Sequence, residues 1–116
     1  MKRIYVAGPY SADNVIRMLD NIREGIKASK DVLLAGYAPF CPWLDHMYHL
    51  MLEDDDRLHV SHYQECSMAW LKASDGVLVL PGWEDSKGTC SEIRMAELSN
   101  IPIFYDLETL KERMPA

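Results

Sequence analysis

The sequence has few cysteines, and they are not spaced in pairs. The three cysteines of the chain are Cys41, Cys66 and Cys90, an odd number with no C-x-x-C motif among them. This excludes a disulfide framework and a zinc knuckle, and it indicates a reducing compartment, so we expect a cytoplasmic protein. None of them begins a C-x-x-x-x-x-R phosphatase loop, and we expect them to be small core residues.

The chain also lacks an excess of positive charge. Lys and Arg number 12 against 18 Asp and Glu, which gives a formal net charge of −6. Because such a protein repels a phosphate backbone, we expect neither a nucleic-acid polymer nor an anionic membrane surface as a partner. A small substrate with one phosphate stays compatible with this charge, since a few local donors suffice to bind it.

Long hydrophobic runs are missing as well. The chain opens Met1-Lys2-Arg3 and passes directly into the short apolar run Ile4 to Ala7. A membrane span needs about 20 apolar residues, and the core of a signal peptide is also longer than this run. The opening therefore predicts neither a targeting segment nor a membrane anchor.

The residues that are present suffice for one core. With 116 residues, 48% of them apolar and 26% charged, we expect a single domain over residues 1–116. Short apolar runs alternate with helical patterns, which predicts an α/β fold. We expect a doubly wound, mostly parallel sheet of four to five strands with helices on both faces, as in flavodoxin-like and Rossmann-like folds.

The individual elements follow from periodicity and from glycine and proline. Ile4–Ala7, stopped by Gly8-Pro9, is typical of a buried strand. Helical spacing after the cap residue Asp13 predicts a crossover helix that Gly36 closes. The further expected elements are an edge strand at 37–40, a long loop with some helix at 41–57, a helix with Tyr63, Cys66, Trp70 and Ala73 on one face, a strand at 77–80, a helix from about 89 to 100, a strand at 101–105 and a terminal helix from 107.

Two loops, Gly8 to Asn14 and Pro81 to Gly88, follow strands at the expected carboxyl edge of the sheet, where such folds bind ligands. The order Lys87-Gly88-Thr89 is wrong for the Walker motif G-x-x-x-x-G-K-[ST], which excludes that motif. Ser86, Lys87 and Gly88, together with the free amides at the start of the next helix, favour an anion. The alternative is an ordinary surface turn.

Glu92 has two interpretations. Thr89-Cys90-Ser91-Glu92 matches a capping box, in which Thr89 caps the helix and Glu92 reaches back to its amide. The local pattern favours this structural role. Alternatively, a carboxylate in the first helical turn is kept ionised by the helix dipole and can act as a nucleophile.

The histidines form two pairs with i, i+3 spacing, His46 with His49 and His59 with His62. This spacing can place two ligands of a metal on one helix face. No recognised zinc or metalloprotease motif is present, so the pattern favours a structural or site-lining role over a metal. We expect no metal and no cofactor.

Several segments together resemble the nucleoside 2-deoxyribosyltransferase family, including its short bacterial and phage-type members and the related deoxynucleoside 5′-monophosphate N-glycosidases. The resemblance covers nearly the whole chain in the family's order. The segments that carry it are Ile4-Tyr5-Val6-Ala7-Gly8-Pro9, Pro39-Phe40-Cys41-Pro42 with Asp45-His46 and His49-Leu50, Ala69-Trp70-Leu71 leading to Asp75, Leu80 to Gly88 running on to Glu92 and Ala96, and Ile101-Pro102-Ile103.

The resemblance implies an enzyme that cleaves or exchanges the N-glycosidic bond of a nucleoside 5′-monophosphate or nucleoside. Glu92 corresponds to the family's nucleophile, and Tyr5 to the residue that holds this carboxylate, in a double displacement like that of retaining glycosidases. Ser86 stands where monophosphate-specific hydrolases contact the phosphate and nucleoside transferases have an aspartate. The residues expected to bind substrate are Gly8, Pro9, His46, Ser67, Asp85, Ser86, Lys87 and Gly88.

One position departs from the family. Ser67 replaces an aspartate that helps to protonate or position the leaving base, and a hydroxyl is a poor general acid. It shares a helix face with Tyr63 and Trp70, so it can still line the pocket. Other groups able to supply the proton are Glu65, Asp45, His46, His49 and Asp85, and the sequence does not choose among them.

The departure at Ser67 also leaves a second function open: a nucleotide-binding module with lost or weak catalysis. The resemblance further implies a homo-oligomer, a dimer or a tetramer. Longer N-glycosidases continue beyond the point where this chain ends, with residues that close a neighbouring subunit's phosphate site, so this contribution is not expected here.

Overall fold

A computed structural model describes all residues from 1 to 116 and has the expected flavodoxin-like architecture. Four parallel strands form one sheet in the order β2-β1-β3-β4. The elements in chain order are β1 (Arg3–Ala7), α1 (Val15–Leu34), β2 (Ala38–Phe40), a first 3-10 helix (Pro42–Met51), α2 (Val60–Lys72), β3 (Gly76–Val79), a second 3-10 helix (Trp83–Asp85), α3 (Lys87–Leu98), β4 (Ile103–Phe104) and α4 (Leu107–Arg113).

Two apolar clusters hold the helices against the two faces of the sheet. On one face, α1 and α4 contribute Ile22, Val32 and Leu110. On the other, Leu71 of α2 and Ile93 of α3 pack on the sheet. The central strands β1 and β3 are buried on both faces, which explains their unbroken apolar runs. No helix is both long enough and apolar enough to cross a membrane.

The strand order reverses between β1 and β3, and this brings together the two loops that follow these strands. The amide of Leu80 donates to the carbonyl of Ala7 at 2.8 Å. Gly82 has a φ of +87°, and a Cβ added there would lie 3.3 Å from Cγ of Pro9. A glycine is therefore needed at this turn, both for its left-handed backbone and for the close approach of the first loop.

The long helix α1 was predicted correctly, but its cap was not. Asn14, not Asp13, is the N-cap, and its side chain accepts from the amide of Arg17. Gly36, with a φ of +99°, follows the last turn as expected. Of the residues at helical spacing only Ile22 is buried; Val15, Leu19, Ile26 and Leu33 are exposed, because the helix packs through smaller residues, notably Gly25 and Ser29.

The expectation that the cysteines are core residues is wrong. Cys66 and Cys90 are exposed on α2 and α3, and Cys41 is partly buried at the end of β2. The strand at 37–40 does lie at an edge of the sheet, as its prolines predicted. The helix expected from residue 89 begins instead at Lys87 and ends at Leu98.

The indole of Trp43 lies directly on Gly25, and this contact fixes the first 3-10 helix against α1. A Cβ added to Gly25 would lie 2.0 Å from Cδ2 of Trp43, which is fully buried and donates from Nε1 to the carbonyl of Pro9 at 2.9 Å. The 3-10 helix and the first loop are thus held by one aromatic side chain.

We expect Gly25→Ala to lower the free energy of unfolding by at least about 2 kcal/mol, because the indole has to move. Urea denaturation measures this. Gly88→Ala is the matched control, since no atom lies within 4 Å of its added Cβ, and it is expected to leave stability unchanged or raise it by up to about 1 kcal/mol. Equal effects of the two substitutions would contradict the packing described for Trp43.

Candidate active site

Tyr5 and Glu92 meet at the centre of the molecule, although 87 residues separate them. Tyr5 lies on β1 and is fully buried, while Glu92 projects from α3 and is partly buried. The phenol of Tyr5 donates a hydrogen bond to Oε2 of Glu92. One carboxylate oxygen is therefore held by the sheet, and Oε1 has no hydrogen-bond donor within the chain.

Glu92 is not part of a capping box, so that interpretation is wrong. The N-cap of α3 is Ser86, whose Oγ accepts from the amide of Thr89 at 3.3 Å and from its hydroxyl at 2.8 Å. Thr89 is buried inside the first turn. Glu92 lies in the second turn, where it faces Tyr5 rather than the free amides.

The ionisation of Glu92 also differs from the expectation that the helix dipole keeps it charged. Burial raises the pKa of Glu92 from 4.5 to about 7, and the hydrogen bond from Tyr5 only partly opposes this. Burial and the charge of Glu92 raise the pKa of Tyr5 far above its ordinary value, so the phenol stays protonated as a donor. Near neutral pH, the carboxyl group of Glu92 is balanced between its two forms.

Ser86 lies at the start of α3, in the loop whose Gly82 approaches Pro9 closely. Lys87 is exposed and forms no ion pair, and the first amides of a helix have no partner within it. Gly88 has open space around it. Asp85, the last residue of the second 3-10 helix, is exposed beside them. The cluster offers donors to an anion, with one acidic neighbour.

An open groove of about 480 Å³ lies between α1, the first 3-10 helix and α2. Aromatic rings link it to the Tyr5–Glu92 pair. Phe40 stacks on Tyr5 with ring centroids 5.4 Å apart, and Trp70 stacks on Phe40 at 5.6 Å. Both Phe40 and Trp70 line the groove, and Trp70 is half exposed. A flat heterocycle has apolar ring surface here on which to stack.

Two polar residues on different elements line this groove. Hydrogen bonding with Ser67 of α2 lowers the pKa of Tyr5, but burial raises this pKa by more. Asp45 of the first 3-10 helix accepts a hydrogen bond from the phenol of Tyr10 at 2.8 Å. Burial raises the pKa of Asp45, while Tyr10, His49 and His46 act in the opposite direction.

The sequence matches the model of a domain family described as a domain of unknown function, DUF7768, over residues 2–106. The chain belongs to the DUF7768 family. No curated protein matches it in sequence.

Two solved structures share the fold of this DUF7768 chain. One is a 2-deoxyribosyltransferase from the psychrotolerant bacterium Bacillus psychrosaccharolyticus, with a TM-score of 0.62, 16% identity, and 87% of this chain and 69% of that chain covered. The other is a conserved protein from Enterococcus faecalis V583, with a TM-score of 0.56, 21% identity, and 89% and 61% covered. At these identities the likeness establishes the fold, and each relative has further chain that the DUF7768 chain does not span.

The histidines of the DUF7768 chain have local partners. His46 and His49 contact each other edge to face at 5.8 Å, and His49 lies 5.3 Å from the ring of Tyr63. His62 accepts at Nδ1 from the amide of His59 at the start of α2. No three His, Cys, Asp or Glu side chains are grouped so that they could hold a metal ion.

Sequence reasoning gave no role in the site to Tyr63, which lines the groove, or to Tyr10, which donates a hydrogen bond to the groove residue Asp45. Tyr10 follows the Gly8-Pro9 turn at the carboxyl end of β1. Folds of this kind bind ligands at this end of their strands, so the position of Tyr10 was the signal that could have found it. Tyr63 was placed on the correct helix face, but its hydroxyl is buried without a hydrogen-bond partner, which no sequence pattern reveals.

We expect the raised pKa of Glu92 to make stability depend on pH. Between pH 4.5 and about 7 the folded chain holds a proton that the unfolded chain releases, so the free energy of unfolding falls as pH rises through this window. Glu92→Gln removes this dependence. As pH rises from 4.5 to 8, we therefore expect the free energy of unfolding of the wild type to fall by about 2–3 kcal/mol relative to that of the variant. Urea denaturation at both pH values tests this, and a pH-independent difference would contradict it.

Proposed function

We propose that this protein cleaves or exchanges the N-glycosidic bond of a nucleoside 5′-monophosphate or nucleoside, with Glu92 as nucleophile. The observation that carries the proposal is the Tyr5–Glu92 pair: a largely buried carboxylate held by one oxygen and linked through Phe40 to an aromatic groove. The shared fold with a protein described as a 2-deoxyribosyltransferase supports the same reaction class.

The chemistry is a double displacement at the anomeric carbon. Oε1 of Glu92, which Tyr5 leaves free, attacks the sugar as the base departs, and a covalent sugar ester forms. Water, or a second base, then attacks the same carbon and releases the carboxylate. Because Tyr5 donates to Oε2 throughout, the carboxylate is oriented before the substrate arrives.

The raised pKa of Glu92 is compatible with its attack as a nucleophile. The carboxylate is ionised in a substantial fraction of molecules at neutral pH, as nucleophilic attack requires. A carboxylate partly removed from water is also a stronger nucleophile than a hydrated one. The same environment costs stability, which is common at catalytic positions.

Ser86 and the start of α3 support a 5′-phosphate as the group that positions the sugar. Because Oγ of Ser86 accepts two hydrogen bonds from Thr89, its own proton is left to donate outward. The free amides of Lys87 and Gly88 and the unpaired ammonium of Lys87 add donors and positive charge. Pro9, which follows Gly8, closely approaches Gly82 in the same loop as Ser86, and the proposed substrate-binding residues also include Asp85 and His46.

The exposed apolar residues of α1 support the proposal of a homo-oligomer, a dimer or a tetramer. Val15, Ile16 and Leu19 lie exposed along the first turns, and a surface of this kind is typical of an interface. We propose a cytoplasmic location for the assembly. The partners are small nucleotides, with neither a nucleic-acid polymer nor a membrane, and the displacement uses only protein groups and water.

One observation favours the second candidate, a nucleotide-binding module with weak catalysis. Ser67 occupies the groove wall beside Tyr5, and a hydroxyl does not protonate a leaving base efficiently. Tight nucleotide binding without release of free base would identify this function. Rapid turnover by the wild type would exclude it.

We expect chromatography to detect free base when the protein is incubated with a panel of deoxynucleotides and nucleosides. Glu92→Gln is expected to lower the rate by at least about 10³-fold, since it removes the nucleophile, and Tyr5→Phe by about 10²-fold, since it removes the donor that holds it. Ser86→Ala is expected to raise KM about tenfold for monophosphates and hardly at all for nucleosides.

Ser91→Ala, at an exposed position of α3, is the matched control and should leave the rate unchanged. Adding a second base to the assay separates exchange from hydrolysis. Absence of turnover with every member of the panel would contradict the proposed function.

A further inference from the structure

The groove that Ser67 lines also contains a carboxyl group. Asp45 projects from the first 3-10 helix and lines the same groove as Ser67, Phe40 and Trp70. We propose that Asp45 is the general acid that protonates the leaving base. The assignment rests on the proposed function and supplies the proton donor that position 67 lacks.

The position of Asp45 fits this role. Its Oδ1 accepts from Tyr10 at 2.8 Å, which leaves Oδ2 without a partner in the chain. Its negative charge acts on Tyr5, whose pKa it helps to raise, so the carboxyl group lies within electrostatic reach of the Tyr5–Glu92 pair. The groove thus carries a carboxyl group on its wall, and its Phe40 ring stacks on Tyr5, the partner of Glu92.

An unsatisfied hydroxyl on the facing helix is the independent sign of a ligand. Oη of Tyr63 is buried and has no hydrogen-bond partner, and such groups are rare in folded proteins unless a ligand or water completes them. Tyr63 lines the same groove and lies close enough to Asp45 for the two to interact electrostatically. A heterocycle with a ring nitrogen and an exocyclic oxygen or amine would satisfy both side chains.

The other candidate donors are less suitably placed. Glu65 and Asp85 are exposed and do not line the groove. His49 is exposed and contacts Tyr63 with its ring. His46 is partly buried, but it too is absent from the groove lining. Of the candidate donors, only Asp45 lines the groove.

The surroundings of Asp45 favour a protonated form more than water does. Burial raises its pKa, and this exceeds the opposing effects of Tyr10, His49 and His46. The titratable groups that act on it from the neighbouring elements are Tyr5 on β1, Tyr10 in the first loop, Cys41 at the end of β2, His46 and His49 on its own helix, and Tyr63 on α2.

The proton and the electrons balance over the two steps. In the first step Glu92 forms a bond to the anomeric carbon, the C1′–N bond breaks with its electron pair on the base, and Asp45 gives its proton to that base. In the second step the oxygen of water bonds to the anomeric carbon, the ester bond breaks with its pair on Glu92, and Asp45 takes the proton from water.

The test compares two leaving groups. Guanine needs a proton to leave 2′-deoxyguanosine 5′-monophosphate, whereas the positively charged base of its 7-methyl derivative leaves without one. We expect Asp45→Asn to lower kcat at least about 10²-fold with the first substrate and by less than about fivefold with the second. Ser67→Asp in the Asp45→Asn background is expected to restore part of the loss with guanine only.

The pH profile gives a second readout. The wild type needs Glu92 ionised and Asp45 protonated, so kcat/KM should rise and then fall with pH. In Asp45→Asn the falling limb should disappear, which leaves one rise near pH 7 from Glu92. If Asp45→Asn does not fold, as judged by circular dichroism, Asp45→Glu replaces it, with a loss of at least about tenfold expected for guanine alone.

Two results overturn the inference and are distinguishable. Equal losses with both substrates in a folded variant, or no loss with either, would show that Asp45 does not donate the proton while the proposed function stands. Absence of turnover by the wild type with both substrates would contradict the proposed function itself, and the role of Asp45 with it.

Discussion

The site depends on one hydrogen bond across the layers of the fold, from Tyr5 on the central strand to Glu92 on α3. It requires β1 to be buried on both faces, α3 to pack on the sheet through Ile93 and Ala96, and the turn at Gly82 to let the two loops meet. Burial then raises the pKa of Glu92 to about 7. The packing that stabilises the domain therefore also sets the chemistry of its carboxyl group.

The α/β class was predictable because central parallel strands leave unbroken apolar runs and glycines mark the ends of elements. The packing face of α1 was not, since the pattern of large residues predicts a helix without showing that Gly25 and Ser29 are the positions that pack inward. Small residues carry little signal in a hydrophobic pattern. Several of the large residues of α1 lie on the surface instead.

The candidate site was predictable only in part. The resemblance pointed to Tyr5 and Glu92, but the local motif misled, because Thr89 and Glu92 imitate a capping box while Ser86 is the residue that caps. Ser86 and Thr89 are both residue types that cap helices, and only the backbone geometry shows which of the two is the N-cap. Asp45 stayed one of five candidate acids, since only the fold brings it within electrostatic reach of Tyr5 and Tyr63, which lie far from it in the sequence.

The most direct test of the account is mass spectrometry of the protein after exposure to a 2′-fluorinated nucleoside 5′-monophosphate. The fluorine destabilises the oxocarbenium-like transition states, and an intermediate that forms with a good leaving base then accumulates. We expect a mass increase of one fluorinated sugar phosphate, located on Glu92 by peptide mapping. Modification of another residue, or unmodified protein in a sample that releases the base, would contradict it.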